Sequence, residues 1–482
     1  MKNKPNVVLI MTDQMRGDCM SLMGHKNVKT PNLDTLALKG TRFTHSYTAC
    51  PSCIPARAAL HTGLNPEHHK RVGYQDRVDW DYTDTLASRF AQNGYYTQAV
   101  GKMHVHPIRN NLGFHNVVLH DGTLTANRDV NLPFYEQQEN SDDYFYYLKK
   151  EKGIHADVYD TGLDSNSWVV REWPYEESLH PTNWVTELGI DFLRRRDTSQ
   201  PFFLFMSYVR PHPPLDAPKA FFDIYRNMKL EAPVIGDWAK NKDLSQKGFI
   251  LDSETGPIDA EMRNRMLMGY YACISHLDNQ IGRFMLALQK YHLDKDTVIM
   301  FVSDHGEMLG DHLCCRKVLP YQGSIHIPFF ITGCPKLPAG ETIDDLVELM
   351  DVLPTLISAI DGKVKANVDG EDLLNPMREK RHYIHGEHSS FGDNLEIGNQ
   401  FIVTKQDKYI WFMETGEEQY FDLIHDPKEE RNLICDEKVQ TRVSYLRELL
   451  IRELEYREEG YVYNGKLIAG REQRNILEQT GG

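Results

Sequence analysis

Asn6-Val7-Val8-Leu9-Ile10-Met11-Thr12-Asp13-Gln14 decides the fold. Val7 to Met11 is unbroken apolar sequence, with Asn6 before it and Thr12-Asp13 after it. A short run without polar alternation reads as a strand covered on both faces of a sheet. Asp13-Gln14 then falls at the carboxyl end of that strand, where open α/β sheets place ligands. The same figure recurs along the chain. Tyr95 to Val100 leads to Gly101-Lys102-Met103-His104, and Pro201 to Tyr208 leads to Arg210-Pro211-His212. Thr297 to Val302, the most apolar run, leads to Ser303-Asp304-His305, and Ile327 to Ile331 is a further strand. Helical stretches separate them: Thr30 to Ala37, Thr85 to Ala91, Trp184 to Arg196, Arg263 to Leu288 and Leu346 to Ile360. The alternation predicts an α/β fold, a large doubly wound mixed sheet flanked by helices.

The pattern changes after about residue 375. Phe401-Ile402-Val403-Thr404, Tyr409-Ile410-Trp411-Phe412 and Gln419 to Leu423 are short strands with tight turns between them, and Val439 to Arg457 is a charged helix. We expect a catalytic α/β domain over 1–375. A smaller C-terminal α+β domain over 376–482 would hold a small antiparallel sheet, a helix and an irregular tail from about Glu458. That tail is a candidate exchanged arm, although the sequence leaves oligomeric state open. Residues 113–181 and 216–258 show little periodicity and are expected to form substrate walls. Tyr144-Phe145-Tyr146-Tyr147 and Trp168 are either ring platforms there or domain packing.

Composition narrows the function. The chain has 482 residues, a hydrophobic fraction of 41% and a formal net charge of −15. That acidity argues against nucleic acid and anionic membrane surfaces as partners. An anionic substrate would therefore need a local cluster of cations or a metal. The first apolar run is too short for a signal peptide, and no stretch is long enough for a membrane span. Eight cysteines without a framework of spacings suit a reducing compartment, so the expected location is cytoplasmic.

Cys50-Pro51-Ser52-Cys53-Ile54-Pro55-Ala56-Arg57 runs from a polar loop into a helix that stops at Thr62-Gly63. Cys53 should sit at or just before the helix N-terminus, where N–H groups and the dipole favour an anion. Pro55 fits the first turn, having no N–H to lose. Core filler is one alternative for such a thiol. A redox or zinc half-site with Cys50 is another, but no second ligand pair has suitable spacing. Elsewhere, Asp13 and Asp304 each follow a buried strand, where a lone carboxylate is costly and a hard metal ion suits two. His305 or Gln14 would complete the shell. Lys102, His104, His212 and Lys317 lie at strand ends or in loops that a doubly wound sheet brings to one edge, and together they suit an anion.

These residues carry a resemblance. Cys53-x-Pro55-x-Arg57 followed by Thr62-Gly63 resembles the sulfatase signature, whose Cys is converted to formylglycine. Gly101-Lys102-Met103-His104, Pro211-His212-Pro213 and Ser303-Asp304-His305-Gly306 resemble further motifs of that family. Asp422-Leu423 with Asp426-Pro427, Glu430 and Asn432-Leu433 resembles its C-terminal segment, so the likeness spans nearly the whole chain. Two positions depart from it: Gln14 stands where many sulfatases have a second Asp, and Ala56 where the signature has Ser.

The resemblance implies hydrolysis of aryl or carbohydrate sulfate esters by formylglycine derived from Cys53, and a maturing enzyme as partner. It implies a divalent metal on Asp13, Gln14, residue 53, Asp304 and His305, with calcium as the first expectation and magnesium or manganese after it. Arg57 would support the nucleophile. Lys102, Lys317 and His212 would hold sulfate oxygens, with His212 or Lys317 as acid to the leaving alcohol. His104 would take a proton from residue 53. Two alternatives accompany this reading: a phosphonate monoester or phosphodiester hydrolase of the same superfamily, and a sulfated-glycan-binding protein without turnover.

Overall fold

The computed structural model describes residues 4–122, 131–133, 136–137, 141–239 and 259–478. Strands β1 (Asn6–Asp13), β2 (Thr41–Tyr47), β3 (Tyr96–Gly101), β4 (Asn116–Leu119), β5 (Phe202–Pro211), β6 (Thr297–Ser303), β7 (Phe329–Thr332) and β8 (Thr342–Glu348) form the main sheet. Their order is β4-β3-β5-β1-β6-β7-β2-β8. β4, β3, β5, β1 and β6 run parallel, and β7 is antiparallel to both of its neighbours.

β1 shows why the apolar runs become central strands. Val8 and Ile10 enter one core, Val7, Leu9 and Met11 the other, and all five have no exposed surface. β6 divides in the same way, Ile299 and Phe301 against Val298, Met300 and Val302. A strand with apolar residues on both pleats needs cover on both faces, and helices supply it. In chain order these are α1 (Pro31–Leu38), α2 (Cys53–Thr62), α3 (Pro66–His69), α4 (Leu86–Gln92), α5 (Asp143–Lys152), α6 (Pro181–Arg195), α7 (Lys219–Tyr225), α8 (Ala260–Lys290), α9 (Gln322–Ile325), α10 (Val352–Ala359) and α11 (Gln440–Leu454). α1, α5, α6 and α8 pack on one face, and α2, α4 and α10 on the other.

Strands β9 (Ile384–His388), β10 (Asn399–Val403), β11 (Asp407–Phe412) and β12 (Glu418–Asp422) form a separate antiparallel sheet in the order β12-β11-β10-β9. Its two pleats face different partners. Ile402, Tyr409, Trp411 and Tyr420 meet α11. Phe401, Val403, Ile410, Phe412 and Phe421 meet Tyr47, Met308, Tyr321 and Leu346 of the larger unit. A buried ion pair, Lys408 with Glu429, adds to this contact. Lys408 Nζ also donates to the Pro320 carbonyl at 2.5 Å, Glu429 Oε2 accepts from Gln322 N at 2.7 Å, and Asn399 Nδ2 donates to the Val318 carbonyl at 3.0 Å.

Three expectations change. Leu346 and Val347 belong to β8, parallel to β2, and the helix begins only at Val352 after a 3-10 turn. Glu348 and Asp351, three apart, extend the helical spacing back into the strand, so period alone does not mark where the strand ends. The stretch 113–181 contains β4 and α5, whose N-cap Asp142 accepts from Tyr144 N at 2.9 Å. Of the aromatics read as platforms or packing, Tyr144, Phe145 and Trp168 belong to the core, with Tyr144 edge-on to Trp184, and Tyr146 is exposed. The tail, read as irregular, turns through the hairpin β13 (Val462–Tyr463) and β14 (Lys466–Leu467), and Val72 N donates to the Asn475 carbonyl at 3.0 Å. Residues 123–130, 134–135, 138–140 and 240–258 of the expected walls lie outside the described residues.

Candidate active site

Because β3, β5, β1 and β6 are parallel neighbours, Lys102, His212, Asp13 and Asp304 follow one another along a single sheet edge. α2 aims its first turn at that edge. Ser52 is its N-cap in extended conformation, Cys53 is the first helical residue, and Gly63 ends the helix at φ 71°, the left-handed conformation glycine takes without strain. Cys53 and Arg57 are four apart and share a helix face. All of α2 is buried.

Cys53 Sγ lies 3.7 Å from Asp13 Oδ1 and 3.3 Å from His305 Nε2. His305 Nε2 is 3.6 Å from Asp13 Oδ1 and 3.7 Å from Asp304 Oδ1. The other ring nitrogen faces the Gly306 carbonyl at 2.9 Å and must donate to it, so Nε2 presents a bare lone pair. Two carboxylates, a lone pair and a thiol thus converge on one point, a donor set that suits a cation. These four buried residues fit a metal site. Burial alone would raise the Asp13 carboxyl, but Lys102, His212, His305 and Lys317 outweigh it and hold it well below the usual range. Burial pushes the His305 pKa down, as suits a neutral ligand.

The cations surround this group. Lys102 Nζ pairs with Asp13 Oδ2. Arg57 pairs with Asp304 at 3.0 Å, and its Nη1 donates to the Lys102 carbonyl at 2.8 Å and Ser207 Oγ at 2.9 Å. His212 Nδ1 donates to the Pro213 carbonyl at 2.8 Å, so its Nε2 accepts from Lys317 Nζ at 2.9 Å. Burial, then Lys317, depresses the His212 pKa well below its ordinary value. His104 Nε2 lies 3.3 Å from Asp76 Oδ1.

Gln14 stands differently from the carboxylates. Its amide oxygen accepts from Lys317 Nζ at 2.7 Å, and its amide nitrogen donates to Glu307 Oε2. Its backbone N–H donates to Asp304 Oδ1 at 3.0 Å. Glu307, buried, carries no motif to announce it, yet it also accepts from Leu309 N at 2.9 Å and from Arg316 N. It therefore shapes the loop that carries Lys317. Ser207 was readable only as the polar residue in an apolar strand. His388 had no signal in the sequence. It comes from β9, its Nδ1 donates to the Ser389 carbonyl at 2.5 Å, and its Nε2 accepts from the Ser52 hydroxyl at 2.9 Å. Burial pushes its pKa down to about 4. Cys50 is a buried thiol whose pKa burial pushes far up, and it has no part in the group.

The chain is similar in sequence and fold to known proteins. Residues 5–362 match the Sulfatase family model, and residues 310–456 match the model for the C-terminal part of N-sulphoglucosamine sulphohydrolase. An arylsulfatase of Clostridium perfringens is 49% identical over 474 residues, covering 97% of this chain and 98% of that protein. The solved phosphonate monoester hydrolase of Agrobacterium radiobacter has a TM-score of 0.75 at 25% identity, covering 98% of this chain and 100% of that one. A solved protein in complex with its substrate D-glucosamine-2-N,6-O-disulfate has a TM-score of 0.73 at 20% identity, covering 94% and 98%, a likeness of fold. The family match over three quarters of its length and the near-complete arylsulfatase likeness show that the chain belongs to the sulfatase family and is a sulfuric ester hydrolase.

Proposed function

We propose that this sulfatase works through formylglycine made from Cys53 by a maturing enzyme, and that Asp13, Asp304, His305 and residue 53 hold one divalent metal. The observation that carries the proposal is the meeting of Cys53 with the bare His305 Nε2 and Asp13, ringed by Lys102, Lys317 and His212. Bound together, the hydrated aldehyde would supply a hydroxyl nucleophile and the metal a Lewis acid. The remaining roles belong to side chains. Arg57 braces Asp304 and the Lys102 backbone, so that a cation stands behind residue 53. Lys102, Lys317 and His212 bind sulfate oxygens, which is how a chain of net charge −15 takes an anion. Lys317 stores the proton for the departing alcohol, since neutral His212 already accepts from it. His104 takes a proton from residue 53. Gln14 supports this site through Lys317 and Glu307, and a metal-bound role for its amide would require the Lys317 contact to move.

Carboxylates suit calcium, magnesium or manganese, whereas calcium and magnesium prefer oxygen to imidazole. His305 thus makes manganese the ion to test beside calcium. The substrate class we propose is a sulfated sugar or an aryl sulfate, because a solved protein of this fold holds a glucosamine disulfate. Among the described residues no helix is long and apolar enough to cross a membrane. All eight cysteines are free thiols, which supports placement in a reducing compartment such as the cytoplasm.

The second reading, a phosphonate monoester hydrolase, is favoured by the likeness to the Agrobacterium structure. One experiment addresses both. Protein matured in the cell is checked by peptide mass for conversion of Cys53, then assayed side by side on aryl sulfate, sulfated sugars and aryl phosphonate. Full activity with an unconverted Cys53 would overturn the formylglycine reading, and faster turnover of phosphonate would move the assignment.

A further inference from the structure

We propose that Asp76, backed by Tyr74, is the positioning residue that fixes His104 with its Nδ1 lone pair turned to residue 53. The proposal rests on the reading of His104 as proton acceptor there. His104 is 5% exposed, and its backbone is left-handed at φ 55°, a strained conformation for a non-glycine residue that clusters at functional sites. Asp121 Oδ1 holds that conformation by accepting from Met103 N and His104 N, each at 2.9 Å. The ring is then gripped from one side. Nε2 lies 3.3 Å from Asp76 Oδ1, and the Tyr74 hydroxyl donates to Asp76 Oδ2 at 2.9 Å. The Tyr74 ring meets the imidazole edge-on, centroids 5.8 Å apart, and itself leans on Phe391.

An ionised carboxylate can only accept, so Asp76 keeps the hydrogen on Nε2 and leaves Nδ1 as a lone pair. Nδ1 is buried and makes no hydrogen bond of ordinary geometry among the described residues. Burial and Lys102 lower the His104 pKa, but Asp76 and the Cys53 side chain outweigh them and hold it above its ordinary value. A buried orphan acceptor beside the nucleophile position is completed by a hydroxyl on residue 53. The arrangement repeats the general logic of a base oriented by a third group. Neither Tyr74 nor Asp76 lies on a strand end or in a motif.

The test has two parts. Nitrogen-15 histidine spectra of the unmodified chain, with His104→Gln used to assign the signal, should show the Nε2–H tautomer. Asp76→Ala should lose it and Asp76→Asn, whose amide oxygen still accepts, should keep it. On matured protein, Asp76→Ala should lower kcat about 10–100-fold without raising KM, with Asp76→Asn between it and wild type. Tyr74→Phe should add little once Asp76 is gone. An unchanged tautomer in Asp76→Ala, or kcat within about twofold of wild type, would overturn the proposal. If His104→Gln turns over at the wild-type rate, the acceptor role itself fails. If His104→Gln is slow while Asp76→Ala is fast, the positioning alone fails.

Discussion

The two sheets contribute to the site by different physics. The carboxyl edge of the main sheet delivers Asp13, Lys102, His212 and Asp304 by repetition, since parallel neighbours end together. The four-stranded sheet delivers no charged group to the centre. It holds the two loops that the edge needs: Glu387 N donates to the Ala49 carbonyl at 2.7 Å, His388 receives Ser52, and Asn399 holds the Val318 carbonyl. One sheet places the reacting groups and the other holds the Cys53 loop and the Lys317 loop against them. Damage to the first should therefore appear in chemistry, and damage to the second in alignment and stability.

The sharpest break would come at the edge. Lys102→Ala should lower sulfate-ester turnover about 10²–10⁴-fold, because one positioned cation is removed from a charge-stabilising site, and should also lower the melting temperature, because Asp13 loses its buried partner. Steady-state kinetics and a melting curve check this; turnover near wild type would move Lys102 out of the machinery. Next in size is the metal. Calcium or manganese at about 100 times its Kd should stabilise the wild-type chain by about 2.7 kcal/mol. Asp13→Asn should cancel most of that stabilisation, read as melting temperature with and without the ion. An equal shift in both proteins would place the ion elsewhere.

The smallest effect tests the second sheet. His388 binds its proton at about 4 in the folded chain and near 6.5 when unfolded, because burial opposes its charge. Between those values the unfolded state holds more protons, so stability is present above pH 6.5 and declines as pH falls toward 4. The span corresponds to about 3 kcal/mol at most. His388→Gln should flatten that part of the stability curve in acid-unfolding titrations and lower kcat less than Lys102→Ala does. An unaltered curve would mean that burial does not depress the His388 pKa in the folded chain.

The same contrast explains what was legible in advance. β1 and β6 could be read because apolar side chains on both pleats leave no other solution, and their terminal carboxylates stand out against them. Cys53 and Arg57 were legible because Pro55 and Thr62-Gly63 mark a helix start and stop. Leu346-Val347 read as helix because Glu348 and Asp351 continue the spacing of the helix that follows. His388, Glu307 and Asp76 were not legible, because each acts through a contact distant in sequence: Ser52 is 336 residues from His388, and Gln14 is 293 from Glu307. Local pattern contains no term for such pairs.

The Lys408–Glu429 pair has a consequence for engineering. It is buried between the sheets and grips Pro320 and Gln322, a few residues beyond Lys317. A chimaera that grafts another sulfatase's C-terminal sheet onto this one would inherit the small sheet's fold but not this grip. Unless Asn399, Lys408 and Glu429 travel with the graft, the Pro320 carbonyl and the Gln322 N–H lose their buried partners and the Lys317 loop its anchor. The C-terminal part is thus not an interchangeable cassette, and a hybrid has to keep these three side chains.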